Sequence, residues 1–104
     1  MSIPKRIKEL RARAGISQET LAQKLGVSVA SVASYEIGRV NPSIEVLKKI
    51  ADIFGVSVDY ILGRSNDEPI VPIEISFMIK SLPEKKKEKV IRYLQFIVEE
   101  EMNY

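Results

Sequence analysis

The sequence predicts an all-α protein, with five short helices in the first 64 residues, a linker, and a short helical extension. Three observations carry this reading. A serine, an apolar run and a closing glycine recur at Ser17–Gly26, Ser28–Gly38, Ser43–Gly55 and Ser57–Gly63. The hydroxyl satisfies N–H groups that a helix start leaves orphaned, and glycine takes the left-handed exit cheaply. Within each run the apolar residues fall at helical spacing. With no cysteine and no histidine in the chain, neither a disulfide framework nor the usual zinc cluster replaces the core.

The elements follow in order. Pro4 to Ala14 form the first helix, because proline suits a first turn, Ile3, Ile7 and Leu10 share one face, and Gly15 ends the run. The second begins at Gln18 behind Ser17 and turns Leu21, Ala22 and Leu25 inward until Gly26. The third runs from Val29 to Ile37 behind Ser28. Ser43 caps a fourth, in which Ile44, Leu47, Ile50, Ala51 and Phe54 keep helical spacing, and Val58 to Leu62 make a fifth. Residues 65–72 read as a linker, since Ser-Asn-Asp-Glu-Pro and a second proline break the pattern. Ile73, Ile75, Phe77 and Ile79 alternate as in a strand, yet Ile75, Met78, Ile79 and Leu82 also fit a helix face. A helix is preferred because a lone strand would have no partner in this chain. Pro83 to Met102 form the last helix. The chain is therefore divided into a five-helix domain over 1–64, the linker 65–72 and a C-terminal helical segment over 73–104.

Composition bounds the function. The net charge of +2 divides unevenly: residues 1–64 hold ten basic against six acidic side chains, and residues 65–104 hold six against eight. A basic front half fits a polyanion ligand. No run approaches the roughly 20 apolar residues that span a bilayer, and Met1–Arg6 lack the apolar stretch of a signal peptide, so a cytoplasmic address and no membrane partner are expected. Without histidine, cysteine, a phosphate-cradling glycine loop or an evident carboxylate pair, no enzyme, cofactor or metal is expected.

Residues Gln18 to Ile37 carry the function. Taken as one unit, they need small or apolar side chains at Leu21, Ala22, Leu25, Val27, Val32 and Tyr35, with Ala22 small where two helices cross and Gly26 at the sharp turn. All these slots are filled as a helix-turn-helix requires. The stretch Ser17-Gln-Glu-Thr-Leu-Ala-Gln-Lys-Leu-Gly-Val-Ser28, then Tyr35-Glu36-Ile37-Gly38-Arg39, Asn41-Pro42-Ser43 and Gly55-Val-Ser-Val-Asp-Tyr-Ile-Leu-Gly63, resembles the phage repressor/Cro family, also called the XRE family. The resemblance covers about residues 3–64 and implies a five-helix lambda-repressor-like DNA-binding domain.

It further implies that the third helix enters the major groove while the second crosses the backbone. Val29, Ala30, Ser31 and Ser34 are then the base-contacting candidates, through thymine methyls and short hydroxyls. Gln18, Ser28, Arg39, Asn41 and Lys24 are the phosphate-contacting candidates. Arg11 and Glu36 correspond to the family's structural ion pair. The outward positions of the third helix are small and uncharged, so affinity is expected from backbone contacts and dimerisation, and specificity from methyls, hydroxyls and DNA shape.

The last helix adds a second surface. Val90, Ile91, Leu94, Ile97 and Val98 line one side, with Tyr93 and Met102 at its margins. This arc covers about half the circumference, more than the ~100° stripe that one partner requires. A homodimer through these residues is expected, as two-fold half-site recognition requires. Its lysine-rich start and its end at Glu99-Glu100-Glu101 oppose the helix dipole and read as a solvated face. The function expected is sequence-specific binding of double-stranded DNA by a homodimeric repressor on a palindromic operator. The alternative is a protein-interaction module or antitoxin of the same fold, whose third helix docks a partner protein; a protein partner on the C-terminal helix is a separate expectation.

Overall fold

The computed structural model describes residues 2–65 and 71–102, and within them the chain is helical with no strand. The helices are α1 (Ile3–Ala14), α2 (Gln18–Leu25), α3 (Val29–Ile37), α4 (Ile44–Phe54), α5 (Val58–Leu62), α6 (Ile73–Lys80) and α7 (Glu84–Met102). The predicted caps are present as hydrogen bonds. Ser17, Ser28, Ser43 and Ser57 accept through Oγ from the backbone N–H three residues on, at 3.0–3.2 Å. Each such cap is worth about 1 kcal/mol. Ser2 does the same for α1, accepting from Lys5 at 3.4 Å, so that helix starts one residue earlier than Pro4.

One core unites the first six helices. Ile7 and Leu10 of α1, Leu21 and Leu25 of α2, Val32 of α3, Ile50 and Phe54 of α4 and Ile61 of α5 are buried together. Ile73 of α6 joins them at 0% exposed. The run at 73–79, alternating as in a strand, is thus a helix, and its inward face is Ile73 and Phe77. Phe77 stacks on Phe54, with ring centroids 6.1 Å apart and planes at 26°. Of the face favoured from spacing, Ile75 and Met78 are turned outward, 46% and 64% exposed, while Ile79 and Leu82 are half-buried. α6 is apolar nearly all round, so periodicity offers two faces. Contact with Phe54 selects one of them. Glu74 ties α6 to α1 through Arg13 at 2.9 Å.

Arg6 is a buried charge that sequence reasoning passed over. Its guanidinium lies 3.8 Å from the centroid of the Tyr60 ring, a cation–π contact between α1 and α5, with Glu9 at 3.9 Å. α7 stands apart from this body. It packs on α6, none of its residues is buried, and Val90 is half-buried. The radius of gyration, 15.8 Å, exceeds the ~13 Å of a compact chain near this length, as a projecting helix about 28 Å long requires. Most of the linker expected over 65–72 lies outside the described residues.

Candidate nucleic-acid interface

The site is built on the joint between α2 and α3. Gly26 leaves α2 at φ +71°, and the N–H of Val27 donates to the Ala22 carbonyl at 3.1 Å, so that the chain turns between α2 and α3 over residues 26–28. Ala22, 2% exposed, lets the helices close on each other. Val32 and Tyr35 anchor α3 to the core from one side, while Val27 is half-buried beneath the turn. A helix nine residues long that is pinned on one side presents its other side as a fixed surface.

That surface differs in part from the one read from the sequence. Val29, 39% exposed, and Ala30 are open to solvent. Ser34 is half-buried, and so is Ala33 between them. Ser31 is turned toward the helix start, its Oγ 2.9 Å from Oγ of Ser28. Ile37, treated from the sequence as the end of the motif, is 67% exposed. Seven residues beyond Ala30, it falls on the same side at 100° per residue, a signal that was present in the spacing.

Behind α3 lies a charged brace. Glu36, 9% exposed, accepts from Arg11 Nε at 2.7 Å and from Arg11 Nη2 at 3.1 Å, a two-pronged geometry that suits a planar guanidinium. The Glu36 hydrogen bond holds the Arg11 pKa above its ordinary value, outweighing the effect of burial. Arg11 Nη1 also donates to the Ile16 carbonyl at 3.0 Å. Gln18 joins the brace, its Nε2 donating to Glu36 Oε1 at 3.1 Å. The structure therefore gives the Gln18 side chain an internal partner, and what α2 offers outward at this position is the backbone N–H of its first turn. Nothing in the sequence spacing links residue 18 to residue 36.

The remaining phosphate candidates separate into two groups. Arg39 and Asn41 are exposed in the loop that follows α3, held close to it by the Arg39 N–H donating to Ser34 at 3.0 Å. Ser28 spends its Oγ as the α3 cap. Lys24 does not join Arg39 and Asn41, since its Nζ lies 5.2 Å from the Phe77 ring centroid of α6. On α7, Ile91, Leu94, Ile97 and Val98 are 38–55% exposed and share one face.

Comparison with known proteins places this geometry. The family model described as Helix-turn-helix matches residues 7–61. The HTH-type transcriptional regulator ImmR of Bacillus subtilis (strain 168) is 34% identical over 88 residues, which cover 85% of this chain and 68% of ImmR. Two further Bacillus subtilis regulators match over 53% and 55% of their own length, so the chain spans about half of those relatives. Among solved structures, the P22 c2 repressor protein in complex with a synthetic operator superposes with a TM-score of 0.59 at 26% identity, over 62% of this chain and 98% of that one. The SinR protein/SinI protein complex gives a TM-score of 0.56 at 28% identity, over 93% and 98%. The chain belongs to the helix-turn-helix family of the XRE type, and it carries the DNA-binding fold of transcriptional regulators.

Proposed function

We propose that the protein is a transcriptional repressor that binds a roughly palindromic operator in the cytoplasm as a homodimer. The observation that carries this reading is the outward side of α3, where Val29, Ala30 and Ile37 are open to solvent on a helix braced from behind by Arg11, Gln18 and Glu36. A braced, uncharged apolar face is what methyl contact at base edges needs. Val29, Ala30, Ser34 and Ile37 contact bases, chiefly thymine methyls. Ser31 has the same role in the sequence reading, and with its hydroxyl beside Ser28 it is the weakest member of the set. Arg39, Asn41 and the first N–H groups of α2 and α3 hold phosphates. Two such units spaced about 34 Å apart fit successive major grooves. The chain divides functionally after α6, with α7 as the dimerisation surface. That the P22 c2 repressor was solved on an operator supports the docking mode.

Selection of duplexes from a randomised pool tests the proposal. An enriched sequence with two-fold symmetry is the expected result, and no enrichment at low salt removes it. A second reading is favoured by the exposed face of α7 and by the SinR protein having been solved with SinI: α7 receives another protein, as an antitoxin or interaction module would. In that case the full chain binds no duplex with a steep salt dependence.

A further inference from the structure

The exposed side of α7 has a symmetry of its own. Ile91, Leu94 and Val98 are 53%, 49% and 55% exposed, and the positions that share the face of Leu94 read the same in both directions. Ile91 three residues before it is matched by Ile97 three after, and Val90 four before by Val98 four after. Lys87 stands seven before and Glu101 seven after. A step of seven residues returns to nearly the same side of a helix, so Lys87, Leu94 and Glu101 lie along one line. On this face the apolar pattern is symmetric and the charge pattern is inverted, whereas Tyr93 and Phe96, matched by Gln95 and Arg92, lie off it.

Resting on the reading of α7 as the dimer surface, we infer that two copies of this helix pair antiparallel about a two-fold axis at Leu94, with Lys87 of each copy facing Glu101 of the other. Valine then meets valine, isoleucine meets isoleucine, and Leu94 meets its own equivalent. A two-fold contact requires such self-complementarity, whereas a foreign partner does not. A parallel pair would set Lys87 against Lys87 and Glu101 against Glu101. The antiparallel arrangement also accounts for charges that a single helix places badly. Lys85, Lys86 and Lys87 crowd the positive end of the dipole and Glu99, Glu100 and Glu101 the negative end. Side by side in opposite directions, each end of one helix meets the opposite end of the other. The present neighbour of Lys87, a half-buried side chain at 28% exposed, is Glu84 at 3.2 Å; Glu84 itself is 87% exposed, and a pair open to water on that side holds a lysine weakly.

Sedimentation equilibrium on the full chain at low salt tests the pairing, using Lys87→Glu, Glu101→Lys and the double reversal. Each single change makes two facing pairs repulsive, and a dimer dissociation constant raised about tenfold is expected. The double reversal restores it to within about twofold. Both single changes improve the charge placement of an isolated helix, so loss of helix does not explain a weaker dimer, and circular dichroism checks this. A dimer indifferent to the single changes, a double reversal that fails to recover, or a monomeric wild type overturns the pairing. Because the chain has no cysteine, oxidation of a mixture of Ile91→Cys and Ile97→Cys proteins reports direction. Cross-linked mixed dimers are expected, and cross-linking of either protein alone overturns the antiparallel register. Duplex selection with the wild type separates the two proposals. Enrichment with a charge-indifferent dimer sinks the pairing alone. A charge-sensitive dimer that enriches no duplex leaves the pairing and sinks the DNA reading.

Discussion

Glu36 receives three hydrogen bonds from two side chains, and its own side chain is 3% exposed. Removing Arg11 leaves a buried carboxylate with only the Gln18 amide. Arg11→Ala should therefore cost about 3 kcal/mol, more than Gln18→Ala, whose loss leaves the two-pronged contact in place; urea unfolding followed by circular dichroism measures both. At the reading surface the expected effects differ in kind. Arg39→Ala should weaken binding to every duplex and reduce the slope of log affinity against log salt by about one phosphate contact. Ala30→Ser or Ile37→Ala should instead change the ranking of duplexes, by about 1 kcal/mol for a methyl contact at the contacted pair. Equal loss on all sequences from the Ile37 change would mean that this side chain reads no base.

At the scale of the elements, the packing of α6 on α1 and α4 is the feature most open to test. An added Cβ at Gly55 would stand 3.2 Å from the Ser76 Cβ, whereas at Gly15 it meets nothing within 4 Å. Both residues sit near φ +70°, where a side chain costs about 1–2 kcal/mol. Gly15→Ala should show that backbone cost alone, and Gly55→Ala should exceed it by the displacement of α6. Equal losses in thermal unfolding would mean that α6 yields freely. The Arg13–Glu74 pair adds a pH dependence to the same contact. The hydrogen bond from Arg13 holds the Glu74 carboxyl below the ordinary glutamate range. Its stabilising contribution is therefore present above the unfolded pKa of about 4.3 and is lost as pH falls through the lowered folded value. Glu74→Gln should flatten the stability profile in that acid window and leave it unchanged near neutrality in slope.

For the whole molecule, the boundary between body and appendage falls after α6. Ile73 is fully buried and Phe77 stacks on Phe54, so a chain ending at residue 64 loses apolar burial worth about 2–5 kcal/mol. One ending at Leu82 keeps it. The shorter chain should melt lower and the longer should match the full chain at high dilution. Association is expected to disappear from both, because α7 carries the proposed dimer face. A chain of 82 residues that still dimerises would move the interface onto the body.

What the sequence by itself determined was local and periodic. Serine and glycine mark the helix ends because capping and left-handed exit are chemistry of one or two residues. The helix-turn-helix is legible because its small, glycine and apolar positions must all be met within twenty residues. The tertiary structure alone decided which side of an all-round apolar helix faces inward, as at Ile73 against Ile75. It decided too that Gln18 serves Glu36, that Lys24 lies over Phe77, and that Arg6 is buried over Tyr60. Each of these depends on residues far apart in the chain, whose approach is set by how whole helices pack and leaves no period in the sequence to read.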